Sequence, residues 1–155
     1  MELILPIGIS GSGKSRLYKK EYSDYKLVSP DEIRKFLTGN ISDQSKNNEV
    51  FERVDNLIDW CIKHDMNVFY DATNINKKYR RKFVNQFKDK DNVKIIYLVF
   101  PADVELSNKR IRKDMSDGVD RSNVPYEVLE RQMKLYKETI EKGFEDENVQ
   151  EVIYL

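Results

Sequence analysis

A chain of 155 residues whose 27 basic and 27 acidic side chains cancel has room for one three-layer core and too little length for a second catalytic domain of ordinary size. The zero net charge excludes a long-range field drawing it to nucleic acid or anionic membrane, so any such binding is local. A lone cysteine, Cys61, excludes an intramolecular disulfide or a thiolate metal site, and the apolar runs are too short to span a bilayer. Together these predict a soluble protein of the reducing cytosol.

Leu3 to Ile7 reads as a parallel strand buried on both faces, with Pro6 placed at its carboxyl end because it lacks a ladder donor. Directly after it, Gly8-Ile9-Ser10-Gly11-Ser12-Gly13-Lys14-Ser15 fills the phosphate-loop pattern G-x-x-x-x-G-K-[ST]. Glycines let consecutive N–H groups converge on phosphate oxygens, where β-carbons would intrude. Lys14 is positioned to reach the β- and γ-phosphates, and Ser15 to offer its hydroxyl to Mg²⁺ at the positive end of the next helix. The expected ligands are ATP and magnesium.

A short helix over 14–20 and a strand over 25–29 follow. Ser29-Pro30-Asp31-Glu32 then opens a second helix, with Ser29 as its N-cap and Pro30 at the first position. Asp31 and Arg34, three residues apart, share one face of it. Such a pair either serves phosphoryl transfer, with the carboxylate taking a proton from an acceptor hydroxyl and the guanidinium holding the acceptor, or is an ordinary surface ion pair.

Beyond the turn 39–43, a long helix is predicted from Asp43 or Gln44 to His64, burying Val50, Phe51, Val54, Leu57, Ile58, Cys61 and Ile62. His64 is read as closing that helix rather than as a base. A strand over 67–71 ends on Asp71, which the topology of parallel sheets brings to the same edge as the phosphate loop. Asp71 is then a candidate for orienting the magnesium hydration shell or a base-holding arginine, with Thr73 and Asn74 steering the acceptor. Lys77, Lys78, Arg80, Arg81 and Lys82 crowd the following helix. They read by default as a solvated face, although a polyanionic acceptor entering that edge would meet them.

A fourth strand over 93–100 ends at Pro101, and a helix over 103–113 leads into a glycine-bearing stretch flanked by Arg110, Arg112 and Arg121. Arginines on a closing segment suit the charge spread over a transferring phosphoryl group. From Val124-Pro125 a last helix runs with Val128, Leu129, Met133, Tyr136 and Ile140 inward, and 149–154 supplies a fifth strand. Alternating strands and helices predict an α/β fold, a five-stranded parallel sheet flanked by helices in three layers, and with its phosphate loop the chain resembles the P-loop arrangement of adenylate kinase. The whole of 1–155 is read as one kinase domain with a lid at about 108–123. The Asn-Lys-x-Asp signature of guanine recognition is missing, which argues against a GTP switch.

Taken together, the phosphate loop, Ser29-Pro30-Asp31-x-x-Arg34, Asp71-Ala72-Thr73-Asn74, the arginines from 110 to 121 and Val124-Pro125 resemble the kinase domain of bacteriophage polynucleotide 5′-hydroxyl kinases. The resemblance implies ATP-dependent transfer of the γ-phosphate to the 5′-hydroxyl of DNA or RNA. In it Asp31 activates that hydroxyl, Arg34 contacts the acceptor's 3′-phosphate, and the motif at Asp71 supports the pocket. Arg110, with Arg112 or Arg121, engages ATP. It also implies a cytoplasmic site of action in a phage-infected cell, and no phosphatase activity, since only the kinase half is matched. Two other readings fit the same residues: a kinase of nucleosides, nucleotides or other small metabolites, and a nucleotide-dependent switch or ATPase that transfers nothing.

Overall fold

A computed structural model describes residues 1–155. Eleven elements follow in order: β1 (Glu2–Ile7), α1 (Lys14–Glu21), β2 (Lys26–Val28), α2 (Pro30–Thr38), α3 (Asn47–Lys63), β3 (Val68–Tyr70), α4 (Lys77–Phe87), β4 (Lys94–Val99), α5 (Val104–Ser116), α6 (Tyr126–Lys142) and β5 (Glu151–Tyr154). All five strands are parallel, in the order β2-β3-β1-β4-β5. The fold is the expected P-loop α/β architecture.

Alternation along β1 divides the core. Leu3, Leu5 and Ile7 point to one face, where Val54, Ile58 and Cys61 of α3 and Val84 and Phe87 of α4 cover them. Ile4 points to the other, packing with Phe69, Ile96, Leu98 and Phe100 against Leu17 and Tyr18 of α1. A smaller cluster of Ile111, Val124 and Leu129 joins α5 to α6. No helix is long and apolar enough to cross a membrane.

Pro6 behaves as expected. Pairing of β1 with β3 extends only to Ile4↔Phe69, whereas pairing with β4 continues to Ile7↔Val99. Pro6 therefore sits where the β3 side has already opened, and its missing N–H breaks no ladder bond.

Several boundaries and burials differ from expectation. α3 begins at Asn47 because the preceding residues bond to their own side chains, Ser42 N–H to Asn40 Oδ1 at 2.9 Å and Ser45 N–H to Asp43 Oδ1 at 2.8 Å. On that helix Phe51 is 46% exposed rather than buried. α5 runs to Ser116, three residues past the predicted end, so part of the predicted lid is helical. On α6, Ile140 faces outward and Thr139 inward, its Oγ1 donating to Ile75 O at 2.7 Å. β5 starts only at Glu151 because Asn148 turns the chain at φ 53°. His64 closes α3 as expected, its Nδ1 lying 2.7 Å from Trp60 O while its ring stacks on Trp60.

Candidate functional site

The phosphate loop emerges from the central strand and is braced on three sides. Gly8 N–H donates to Thr73 O at 3.0 Å, tying the loop to the segment after β3. Ser10 N–H donates to Gln132 Oε1 at 2.8 Å, and Ser10 Oγ accepts from Gln132 Nε2 at 3.1 Å, tying it to α6. Gly11, at φ 75°, lies so close to α5 that a β-carbon there would stand 2.9 Å from Ser107 O. Any side chain at 11 would push α5 away from the loop. Gly13, at φ 104°, provides the left-handed entry to α1.

Lys14 is buried within this loop, its Nζ donating to Ile9 O at 2.7 Å, Gly8 O at 3.1 Å and Ser12 Oγ at 3.4 Å. Desolvation pushes its ammonium down to about 8; the carboxylates of Asp71 and Asp31 oppose that shift and the charge of Arg121 adds to it. These three charged side chains thus surround the lysine closely enough to act on it.

Ser15, in the first turn of α1, donates from Oγ to Asp71 Oδ2 at 2.7 Å. Asp71 is placed there by β3, its own N–H bonding to Val28 O at 2.9 Å. A hydroxyl paired with a carboxylate at the end of a parallel strand is the donor set Mg²⁺ takes when substrate phosphates and waters complete its shell. No group of three or more His, Cys, Asp or Glu could hold a metal by protein ligands alone. The residues present therefore fit a magnesium ion that arrives with phosphate.

Thr73 contributes its backbone carbonyl to the loop, whereas Asn74 works through both side chain and backbone. Asn74 adopts φ 50° and turns its Nδ2 onto Pro6 O at 2.8 Å and Ala72 O at 3.2 Å. Its carbonyl accepts from Arg80 Nη1 at 2.7 Å. Here the basic run departs from a solvated face. Arg80 is wholly buried, with Nε and Nη2 on Glu147 at 2.7 and 2.6 Å and its guanidinium over the rings of Tyr97 and Phe144. Tyr97 Oη donates to the same carboxylate at 2.8 Å. Lys77 and Arg81 both pair with Asp146.

On α2, Ser29 caps the helix by accepting from Glu32 N–H at 3.3 Å, which fixes the first turn and with it Asp31. Arg34 donates through Nη1 to Asp31 Oδ1 at 2.6 Å. Its Nε and Nη2 are held by Asn47 Oδ1 at 3.3 and 3.2 Å. Arg34 is 6% exposed while the side chain of Asp31 is half exposed, so this is an oriented carboxylate with a buried support rather than a surface ion pair.

The C-terminal half of α5 and the residues following it run across the site. Arg110 Nη1 donates to Gly11 O at 3.2 Å, on the phosphate loop itself. Arg121 Nη1 is paired with Asp114 Oδ2 at 2.6 Å, yet its Nε is buried and donates to nothing in the chain. A buried unpartnered donor beside Lys14 fits an anionic oxygen of a bound triphosphate. Arg112 is directed elsewhere, its Nη2 donating to Val124 O at 2.6 Å and fastening the end of the segment. Past Arg121, Ser122 Oγ donates to Asp31 Oδ2 at 3.0 Å, and Asp120 pairs with Lys35.

The structure thus gathers Lys14, Ser15, Asp31, Asp71, Arg110 and Arg121 at one edge of the sheet. Gln132, Asn47, Ser122 and the Arg80–Glu147 pair carry no motif of their own. Each acts through a partner far away in sequence, so local spacing gives no sign of them.

The chain is similar over 92% of its length to a chain in the structure of the Pnkp1/Rnl/Hen1 RNA repair complex, with a TM-score of 0.80 and 24% identity. It spans 46% of that chain, about half. It is also similar to a gluconokinase from Sinorhizobium meliloti 1021 (TM-score 0.55, 16% identity, 99% of this chain and 81% of that one). A third likeness is to the Mycobacterium tuberculosis APS kinase CysC in complex with AMPPNP and APS (TM-score 0.56, 15% identity, 88% of this chain and 97% of that one). No curated protein is matched. A family model described as an AAA domain matches residues 3–139, nearly the whole chain, and the protein accordingly belongs to that family, with the fold of a P-loop kinase.

Proposed function

We propose that the protein is an ATP- and magnesium-dependent kinase that transfers the γ-phosphate to the 5′-hydroxyl of DNA or RNA. The observation that carries this reading is the clamped Asp31, held by Arg34 on Oδ1 and turned through Oδ2 toward the arginine-bearing segment beside the phosphate loop. A triphosphate-binding loop alone serves switches and ATPases as well. An oriented, half-exposed carboxylate facing it supplies the acceptor side that a transferase requires.

In this reading the guanidinium of Arg34 holds Asp31 by Oδ1 and so leaves Oδ2 to face the acceptor. Asp31 Oδ2 takes the proton from the 5′-hydroxyl as that oxygen bonds to the γ-phosphorus. The bond from phosphorus to the bridging oxygen breaks and ADP leaves with the electron pair. Lys14, Arg110 and Arg121 stabilise charge on the phosphate oxygens, residues 108–123 acting as a lid. Ser15 and Asp71 would hold Mg²⁺, and the ion would neutralise phosphate charge. Asn47 holds Arg34, and Asn74 holds the edge on which Asp71 sits.

The likeness to a chain of an RNA repair complex supports a nucleic-acid acceptor. The likeness to a gluconokinase and an APS kinase supports the alternative, a small-molecule acceptor. Incubation with γ-labelled ATP, Mg²⁺ and 5′-hydroxyl oligonucleotides of DNA and RNA is expected to give labelled 5′ ends. Absence of transfer to every oligonucleotide, with transfer to a small alcohol or nucleoside, would move the assignment to the second class.

A further inference from the structure

Ser122 occupies an unusual position for a serine outside any motif. Its hydroxyl donates to Asp31 Oδ2, the same oxygen that faces the acceptor, while Arg34 holds Oδ1. The segment bearing it bridges two fixed points. At one end α5 lies against the phosphate loop through Gly11 and Arg110, and Arg121 is anchored on Asp114. At the other, Asp120 pairs with Lys35 of α2. Arg121, the immediate neighbour of Ser122, lies close enough to Lys14 for its charge to act on the ammonium, and so does Asp31. An aliphatic hydroxyl is thereby held on the carboxylate of α2, on a segment fastened to both α2 and α5. These are the relations an acceptor 5′-hydroxyl needs.

We infer that Ser122 is itself a phosphoryl acceptor, and that the protein phosphorylates this residue within its own chain when no external hydroxyl displaces it from Asp31. The step resembles that of the proposed external reaction and rests on that reading for Asp31 and ATP. Ser122 Oγ bonds to the γ-phosphorus, its proton passes to Asp31 Oδ2, the bond to the bridging oxygen breaks, and ADP departs with the electron pair. The phosphoserine dianion would then stand beside Asp31, where like charges repel. It would push residues 117–123 off α2 or block the acceptor side.

The test incubates the full chain with γ-labelled ATP and Mg²⁺, with and without a 5′-hydroxyl oligonucleotide, and maps label on both by tandem mass spectrometry. Phosphorus NMR of the protein, after nucleotide and metal are removed, identifies the phosphate ester. Label is expected on Ser122, approaching one phosphate per chain, at a first-order rate independent of protein concentration and suppressed by the oligonucleotide. Ser122→Thr is expected to carry label at the same position and Ser122→Ala to carry none there. A labelled oligonucleotide with an unlabelled protein, or label confined to another residue, overturns the inference and leaves the kinase reading standing. Label on Ser122 without transfer to any oligonucleotide supports the inference and overturns only the 5′-hydroxyl acceptor.

Discussion

Ser15 and Asp71 are joined by a hydrogen bond of 2.7 Å that links the first turn of α1 to the end of β3. In the proposed function, loss of either partner removes half of the protein's donor set for magnesium. Ser15→Ala and Asp71→Asn are each expected to raise the Mg²⁺ concentration for half-maximal transfer by about 10- to 100-fold, the range for partners that orient a metal site. Titration of Mg²⁺ at saturating ATP measures this, and unchanged Mg²⁺ dependence in both variants would remove Asp71 from the site.

Asp31→Ala is expected to lower kcat by about 10² to 10⁴, the contribution typical of a positioned general base. Binding of a nonhydrolysable ATP analogue, followed by calorimetry, should change little, because the proposed reaction uses Asp31 on the acceptor side. Arg34→Lys preserves charge but not the planar fork that spans Asp31 and Asn47. It should reduce kcat more than it raises the KM for ATP. A normal kcat in Asp31→Ala would require another base.

Lys14 gives a pH-dependent prediction. Its value of about 8 in the folded protein lies below the ordinary 10.5, so between those limits the folded chain binds fewer protons than the unfolded one. Stability relative to a Lys14→Met variant should therefore rise between pH 8 and 10.5, by about 3 kcal/mol over the window. Below pH 8 the buried ammonium is a cost carried in full, so Lys14→Met at pH 7 should melt higher than the parent while losing ATP binding. Urea denaturation across the pH range reads the first, and thermal melts with an ATP titration at pH 7 read the second.

Arg80 and Glu147 are fully buried, and removing one charge strands the other. Glu147→Gln is expected to destabilise the protein by about 3 to 5 kcal/mol, whereas Arg80→Met combined with Glu147→Met should recover much of that loss. The double variant still loses the bond from Arg80 to Asn74 O. Its Mg²⁺ requirement should consequently rise even where its stability is restored. Denaturation curves and metal titration separate the two effects.

The phosphate loop, the order of strands and helices, the cap at Ser29 and the pairing of Asp31 with Arg34 were legible in the sequence because each is a local pattern. Spacing brings them together without help from the rest of the chain. Arg80 was not legible, since five cations in one helix look alike and only the return of Glu147, 67 residues later, selects one for burial. Thr139 and Ile140 exchanged places for a similar reason: a carbonyl at Ile75 drew the hydroxyl inward. Gln132 and Ser122 reach Ser10 and Asp31 across long separations, which periodicity does not record.

Pro6 sits in the central strand just where β1 stops pairing with β3, and the side-chain amide of Asn74 closes that gap by donating to Pro6 O. The seam between the two strands is thus stitched by a side chain at the very point where both signature loops begin. Gly8 N–H, two residues beyond Pro6, reaches Thr73 O in the same stitch. A change at Asn74 would accordingly be felt first as a shift of the phosphate loop relative to Asp71. The spacing between the phosphate loop and the segment that carries Asp71 is thus held at its root by two bonds, one of them an amide reaching a proline carbonyl where no pairing of β1 with β3 is left.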